Sequence, residues 1–69
     1  MVTHDIRFNR SWQGVYLKPQ SAFGMLWLQT HFTSEDWVAI ADGTALLNDR
    51  DATRLANDAD YAGLKILFP

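Results

Sequence analysis

The sequence predicts an α+β fold: a small single-layer sheet, mixed or antiparallel, opened by an N-terminal hairpin and packed against two helices in the order ββα(β)βαβ. Three observations predict it. Two short stretches near the start alternate apolar and polar residues, as half-buried strands do. Residues 21–32, SAFGMLWLQTHF, are apolar at helical rather than alternating spacing, and residues 50–62 set alanines and one leucine on a single helical stripe.

In the first stretch, residues 4–9, Ile6 and Phe8 fall on one side and Asp5, Arg7 and Asn9 on the other. Residues 9–14 are turn-rich. Residues 14–18 alternate again, with Val15 and Leu17 inward and Tyr16 and Lys18 outward, which predicts a hairpin with a loop longer than two residues. Trp12 lies in that loop, either folded back over the hairpin or exposed as an anchor for a partner.

Pro19 restricts Gln20 to an extended conformation, and the Ser21 hydroxyl can then accept from the open N–H groups of a helix starting at Ala22. Steps of about 100° put Ala22, Met25, Leu26 and Phe32 on one face, Leu28 on one flank, Phe23 and Trp27 on the other, and Gly24 with His31 on a polar stripe. Met25, Leu26 and Leu28 are therefore expected under the helix, against the sheet. Phe23 and Trp27 are left over, to be covered by a loop or to form, with Trp12, a protein-binding surface.

The segment 35–42, EDWVAIAD, has two readings. Thr33 with Asp36 resembles a capping box and Gly43 a helix-ending glycine, which favours a short helix. Trp37, Val38 and Ile40 are strand formers and Asp42-Gly43 is a hairpin dipeptide, which favours a strand, and this second reading is preferred. Residues 44–47 are a strand in both. Asn48 or Asp49 then caps a helix over 50–62 that turns Ala52, Leu55, Ala56, Ala59 and Ala62 inward and stops at Gly63. Residues 64–68, LKILF, are apolar enough for a last strand inside the sheet.

With 69 residues the chain forms one domain, residues 1–69. Its three Trp, four Phe and two Tyr supply the burial so short a chain needs. There is no cysteine, no apolar leader and no run long enough to span a membrane, which points to a cytoplasmic protein. A net charge of −2 and a pI near 5.4 give no overall electrostatic footprint for nucleic acid or an anionic membrane.

No side-chain constellation nominates a catalytic group, so an enzyme is not expected. His4 and His31 are not spaced as paired metal ligands, the serines lack a nucleophile context and the glycines are scattered singly, so neither metal nor cofactor is called for. Asp51, Arg54 and Asp58 read as a solvated ladder on one helix face. The surplus of aromatics points to a non-enzymatic protein that binds another protein or a second copy of itself, as a homodimer, through Phe23, Trp27 and Trp12. The alternative is a nucleic-acid-binding module that uses Arg7, Arg10, Tyr16 and Lys18 of the basic, aromatic hairpin.

The run Leu17-x-Pro19, then Trp27-Leu28 with His31, Gly43-x-Ala45-Leu46 and Gly63-Leu64 resembles a set of small uncharacterised proteins carried on bacterial plasmids and phages, over residues 15–66. The resemblance implies a mobile-element accessory protein of unknown role; with it, the protein-binding reading extends to binding or inhibiting a host factor. It carries over no functional residues.

Overall fold

Alternation makes the first hairpin. In the computed structural model, which describes residues 4–68, strand β1 (Ile6–Ser11) pairs antiparallel with β2 (Gly14–Pro19), Ile6 opposite Pro19 and Ser11 opposite Gly14. Ile6, Phe8, Val15 and Leu17 are all buried on one face, as their spacing predicts. Only Trp12 and Gln13 join the strands, so the loop is shorter than expected; the Ser11 hydroxyl, donating to the Gly14 carbonyl at 3.0 Å and accepting from the Gln13 N–H, braces it. The outermost residues of the expected domain, 1–3 and 69, lie outside the described residues.

Helix α1 (Ala22–His31) begins where Pro19 and Ser21 place it, with the Ser21 Oγ accepting from the Gly24 N–H at 3.0 Å. Its rotation about its own axis differs from expectation by roughly 100°. Gly24 and Leu28 are the buried residues and Met25 and Trp27 are partly buried, whereas Ala22 and Leu26 face solvent. The cause is Gly24. A Cβ there would lie 2.1 Å from the Asp5 carbonyl oxygen, so the bare glycine is what lets the helix settle against the start of β1.

Residues 35–42 are helical, against the preferred hairpin reading. A 3-10 turn (Ser34–Asp36) leads into α2 (Trp37–Asp42), so the described residues form three α-helices rather than two. Gly43, at φ 77°, ends α2 in the left-handed region, and the Thr44 N–H bonds back to the Ala39 carbonyl at 2.9 Å. Asp42-Gly43 therefore stops a helix. Ile40 is buried while Val38, two residues away, is exposed, a pattern that a strand with both on one face would not produce.

Strand β3 (Ala45–Leu47) adds antiparallel to β2, and helix α3 (Asp49–Tyr61) follows, capped by the Asn48 Oδ1 accepting from the Asp51 N–H at 2.7 Å. Ala52, Leu55, Ala56 and Ala59 are buried as expected, but Ala62 lies past the last turn and is exposed. Strand β4 (Ile66–Leu67) pairs parallel with β1, giving a mixed sheet of order β3-β2-β1-β4. It is an edge strand, not an interior one. The core joins the inner sheet face to Leu28, Ile40, the alanine stripe of α3 and Leu64, and Phe68 stacks on Phe8 with centroids 4.9 Å apart.

Asp5 ties three elements together just before β1. Its carboxylate accepts from the Ser21 hydroxyl at 2.6 Å and from the Lys65 N–H at 2.9 Å, its own N–H donates to the Lys65 carbonyl at 2.7 Å, and its carbonyl accepts from the Gln20 N–H at 2.7 Å. The Lys65 amide first, then the Ser21 hydroxyl, hold the carboxyl below the usual aspartate range.

Candidate functional site

Helix α1 is apolar on its outer side as well as its inner one. Phe23 and Leu26, three residues apart, are 54% and 61% exposed, and neighbouring Ala22 and Thr30 complete a solvent-facing stripe about 100° wide. The helix carries no carboxylate, ammonium or guanidinium, its one titratable side chain being His31. A helix with so wide an apolar arc is ordinarily buried over more than one face. Here only the sheet side is.

The residues singled out as a protein-binding set are distributed over the molecule. Phe23 stands outward with Leu26. Trp27 is partly buried and tilts onto His31 with ring centroids 3.9 Å apart; the His31 Nδ1 lies 3.1 Å from the Trp27 carbonyl oxygen and 3.0 Å from the Thr30 hydroxyl. Trp12, 92% exposed, occupies the hairpin turn, whereas α1 starts from the opposite end of β2 just after Pro19, so Trp12 and Phe23 flank opposite ends of that strand. Leu26 is the residue that sequence reasoning missed, because it was assigned to the sheet side.

The second face is the open side of the sheet. Arg7 and Lys18 are direct cross-strand partners there, and Leu67 is the β4 partner of Arg7. Asn9, Tyr16 and Leu46 form the adjoining row. Lys65, exposed between buried Leu64 and half-buried Ile66, points the same way as Leu67. The Tyr16 hydroxyl donates to the Gln13 Oε1 at 2.9 Å, which draws the ring toward the hairpin turn. Arg10 does not join this face: its Nη1 bonds the Asp49 carboxylate at 3.0 Å and its guanidinium lies 4.8 Å over the Phe68 ring.

Charge is segregated accordingly. Seven of the eight acids, all but Asp5, sit on the helices and the 3-10 turn, while three of the six cations, Arg7, Lys18 and Lys65, share the open sheet face. A small net charge conceals this division. The outward placement of Arg7 and Lys18 was readable from alternation, but that of Lys65 depended on β4 lying beside β1.

A shallow cleft of about 270 Å³ lies between the end of α1, β3 and α3, bordered by His31, Phe32, Leu47, Asp51, Arg54 and Asp58. Asp51 contributes its backbone N–H and carboxylate to the Asn48 cap. Among the described residues no group of three or more His, Cys, Asp or Glu side chains is gathered as a metal ion would require, and no helix is long and apolar enough to cross a membrane.

Residues 4–68 match the family model described as the cyanobacterial NIF11-like domain. That match corrects the resemblance to plasmid- and phage-borne proteins, since it covers almost the whole chain with a different family and carries no link to mobile elements. No curated protein and no solved structure gives a significant match.

Proposed function

We propose that this chain, which belongs to the cyanobacterial NIF11-like domain family, is a small non-enzymatic cytoplasmic module that works by protein–protein contact through the outer stripe of α1. The observation that carries the reading is the pairing of Phe23 and Leu26, both more than half exposed, on a helix without a charged side chain. Burying either ring or branched chain fully is worth roughly 1.5–3 kcal/mol, which a monomer forgoes and a covered interface recovers. Aromatic anchors with an aliphatic neighbour at helical spacing are what interface centres are made of.

The partner the reading commits to is a second copy of the chain. Two α1 helices can oppose one another across a two-fold axis with no like charges brought together, and the same stripe serves both sides. The test is sedimentation equilibrium of the parent and a Phe23→Ser, Leu26→Ser double variant from about 10 μM to 1 mM, with far-ultraviolet circular dichroism to confirm the fold. The parent is expected to associate and the folded variant to remain monomeric. A parent still monomeric at the top of the range, or a variant that associates equally, overturns the reading.

A further inference from the structure

We infer that the open face of the sheet is a docking surface for single-stranded nucleic acid, independent of the α1 stripe. Arg7 and Lys18 are directly opposite one another on an antiparallel pair, where like charges repel. Neither is in a salt bridge: among the described residues the only one is Arg10 with Asp49, and the Asp5 carboxylate bonds the Ser21 hydroxyl and the Lys65 amide rather than Arg7 or Lys18. An anionic ligand lying across β1 and β2 removes that repulsion. Lys65, level with Asp5 and diagonal to Arg7, adds a third cation toward β4, and every acid but Asp5 is held on the helices and the 3-10 turn.

The aromatics decide which anion. An acidic polypeptide needs only the cations. Here Tyr16 lies in the centre of the face in the row next to Lys18, with its hydroxyl tethered to Gln13, and Trp12 stands almost wholly exposed in the turn at the end toward which that ring is drawn. Unpaired bases stack on such rings while their phosphates track neighbouring cations, and every base offers the same π-face, so the surface is expected to bind without sequence preference. Paired bases in a duplex present no such faces, which makes the single strand the better ligand.

The experiment is fluorescence anisotropy of a labelled 12-nucleotide oligothymidylate against the full chain, with a length-matched polyglutamate as competitor. Three phosphate contacts give a log–log salt slope of about −2, an affinity loss of about 20-fold between 50 and 200 mM salt. Arg7→Gln with Lys18→Gln is expected to flatten that slope, and Trp12→Ala with Tyr16→Ala to weaken binding by at least about 10-fold at fixed salt. All four positions are half-buried or exposed, and circular dichroism checks that each variant keeps its fold. Phe23→Ser with Leu26→Ser leaves this binding unchanged, which separates it from association through α1. Polyglutamate competing as well as the oligonucleotide, or ring variants that bind as the parent does, would show a generic anion surface and overturn the proposal. So would the absence of binding at 50 mM salt.

Discussion

Gly24→Ala is the substitution whose outcome depends most directly on how α1 is seated. By helix propensity alone it should stabilise, by about 1 kcal/mol. The geometry predicts the reverse, because the added Cβ would stand 2.1 Å from the Asp5 carbonyl oxygen and 2.9 Å from its carbon. Those atoms are backbone, fixed by the Gln20 N–H and by the pairing of β1 with its neighbours, so the helix must retreat by more than 1 Å. Such overpacking against fixed backbone costs about 3 kcal/mol, and the retreat also stretches the Ser21 hydrogen bond to Asp5. Net of propensity, about 2 kcal/mol of stability should be lost, which for a domain of this size lowers Tm by about 8–16 °C. Thermal melts followed by circular dichroism read it directly. Gly63→Ala is the control, since Gly63 has a left-handed φ of 94° with nothing within 4 Å of a Cβ: it should lose only about 1 kcal/mol, for backbone strain alone. A Gly24→Ala melt at or above the parent's would show that α1 does not sit on Asp5 as described.

Further outcomes are expected at other positions. Leu28→Ala removes a completely buried side chain and should cost about 2–5 kcal/mol, whereas Leu26→Ala should stay within about 1 kcal/mol in the monomer; equal losses in urea titrations would contradict the rotation assigned to α1. Because Asp5 has its pKa lowered in the fold, its contribution is present above the unfolded value near 4 and is lost as pH falls through the folded one. Asp5→Asn should therefore be less stable than the parent at neutral pH and show a shallower loss below about pH 4, and parallel acid titrations would argue against the clasp. Asn48→Ala should cost about 1 kcal/mol by leaving the Asp51 N–H without its cap, and Asn48→Asp should restore most of it; a melt unchanged by the alanine would remove the cap from the account.

Much of the architecture was legible from the chain because its strands are half-buried and say so. Ile6, Phe8, Val15 and Leu17 alternate with polar residues, and the alanine stripe of α3 has one possible inward face. Helix α1 lacks such a bias: its apolar arc is wide, the one polar stripe it offers, Gly24 with His31, misdirects its rotation, and a tertiary contact between Gly24 and the Asp5 carbonyl decides it. The segment 35–42 was ambiguous because Trp, Val and Ile favour strands locally, while burial of Ile40 with partial burial of Trp37 follows an i, i+3 spacing that only the packed structure selects. At the candidate site, alternation placed Arg7 and Lys18 outward. That Arg10 leaves them for Asp49, and that Lys65 joins them, depend on partners 39 and 60 residues from Arg10 and Asp5 respectively.

The Asp5–Lys65 clasp also sets an order of events. Closing a loop of that span costs only about 1.4 kcal/mol more than closing one of a dozen residues, but contacts so distant in sequence are made after local ones. The β1–β2 hairpin and the capped helices can form from neighbouring residues, leaving β1 with an unpaired flank and Phe8 without its stacked partner until Phe68 arrives. The same seam should be the first to open. Native-state hydrogen exchange is then expected to show the Lys65 and Asp5 amides exchanging through a partial opening that spares Leu17 and Leu28, and it is from this opened form, with one sheet edge bare, that exchange of β4 between two copies would proceed. Protection of Lys65 and Asp5 equal to that of the core amides would mean instead that the clasp opens only when the whole domain does.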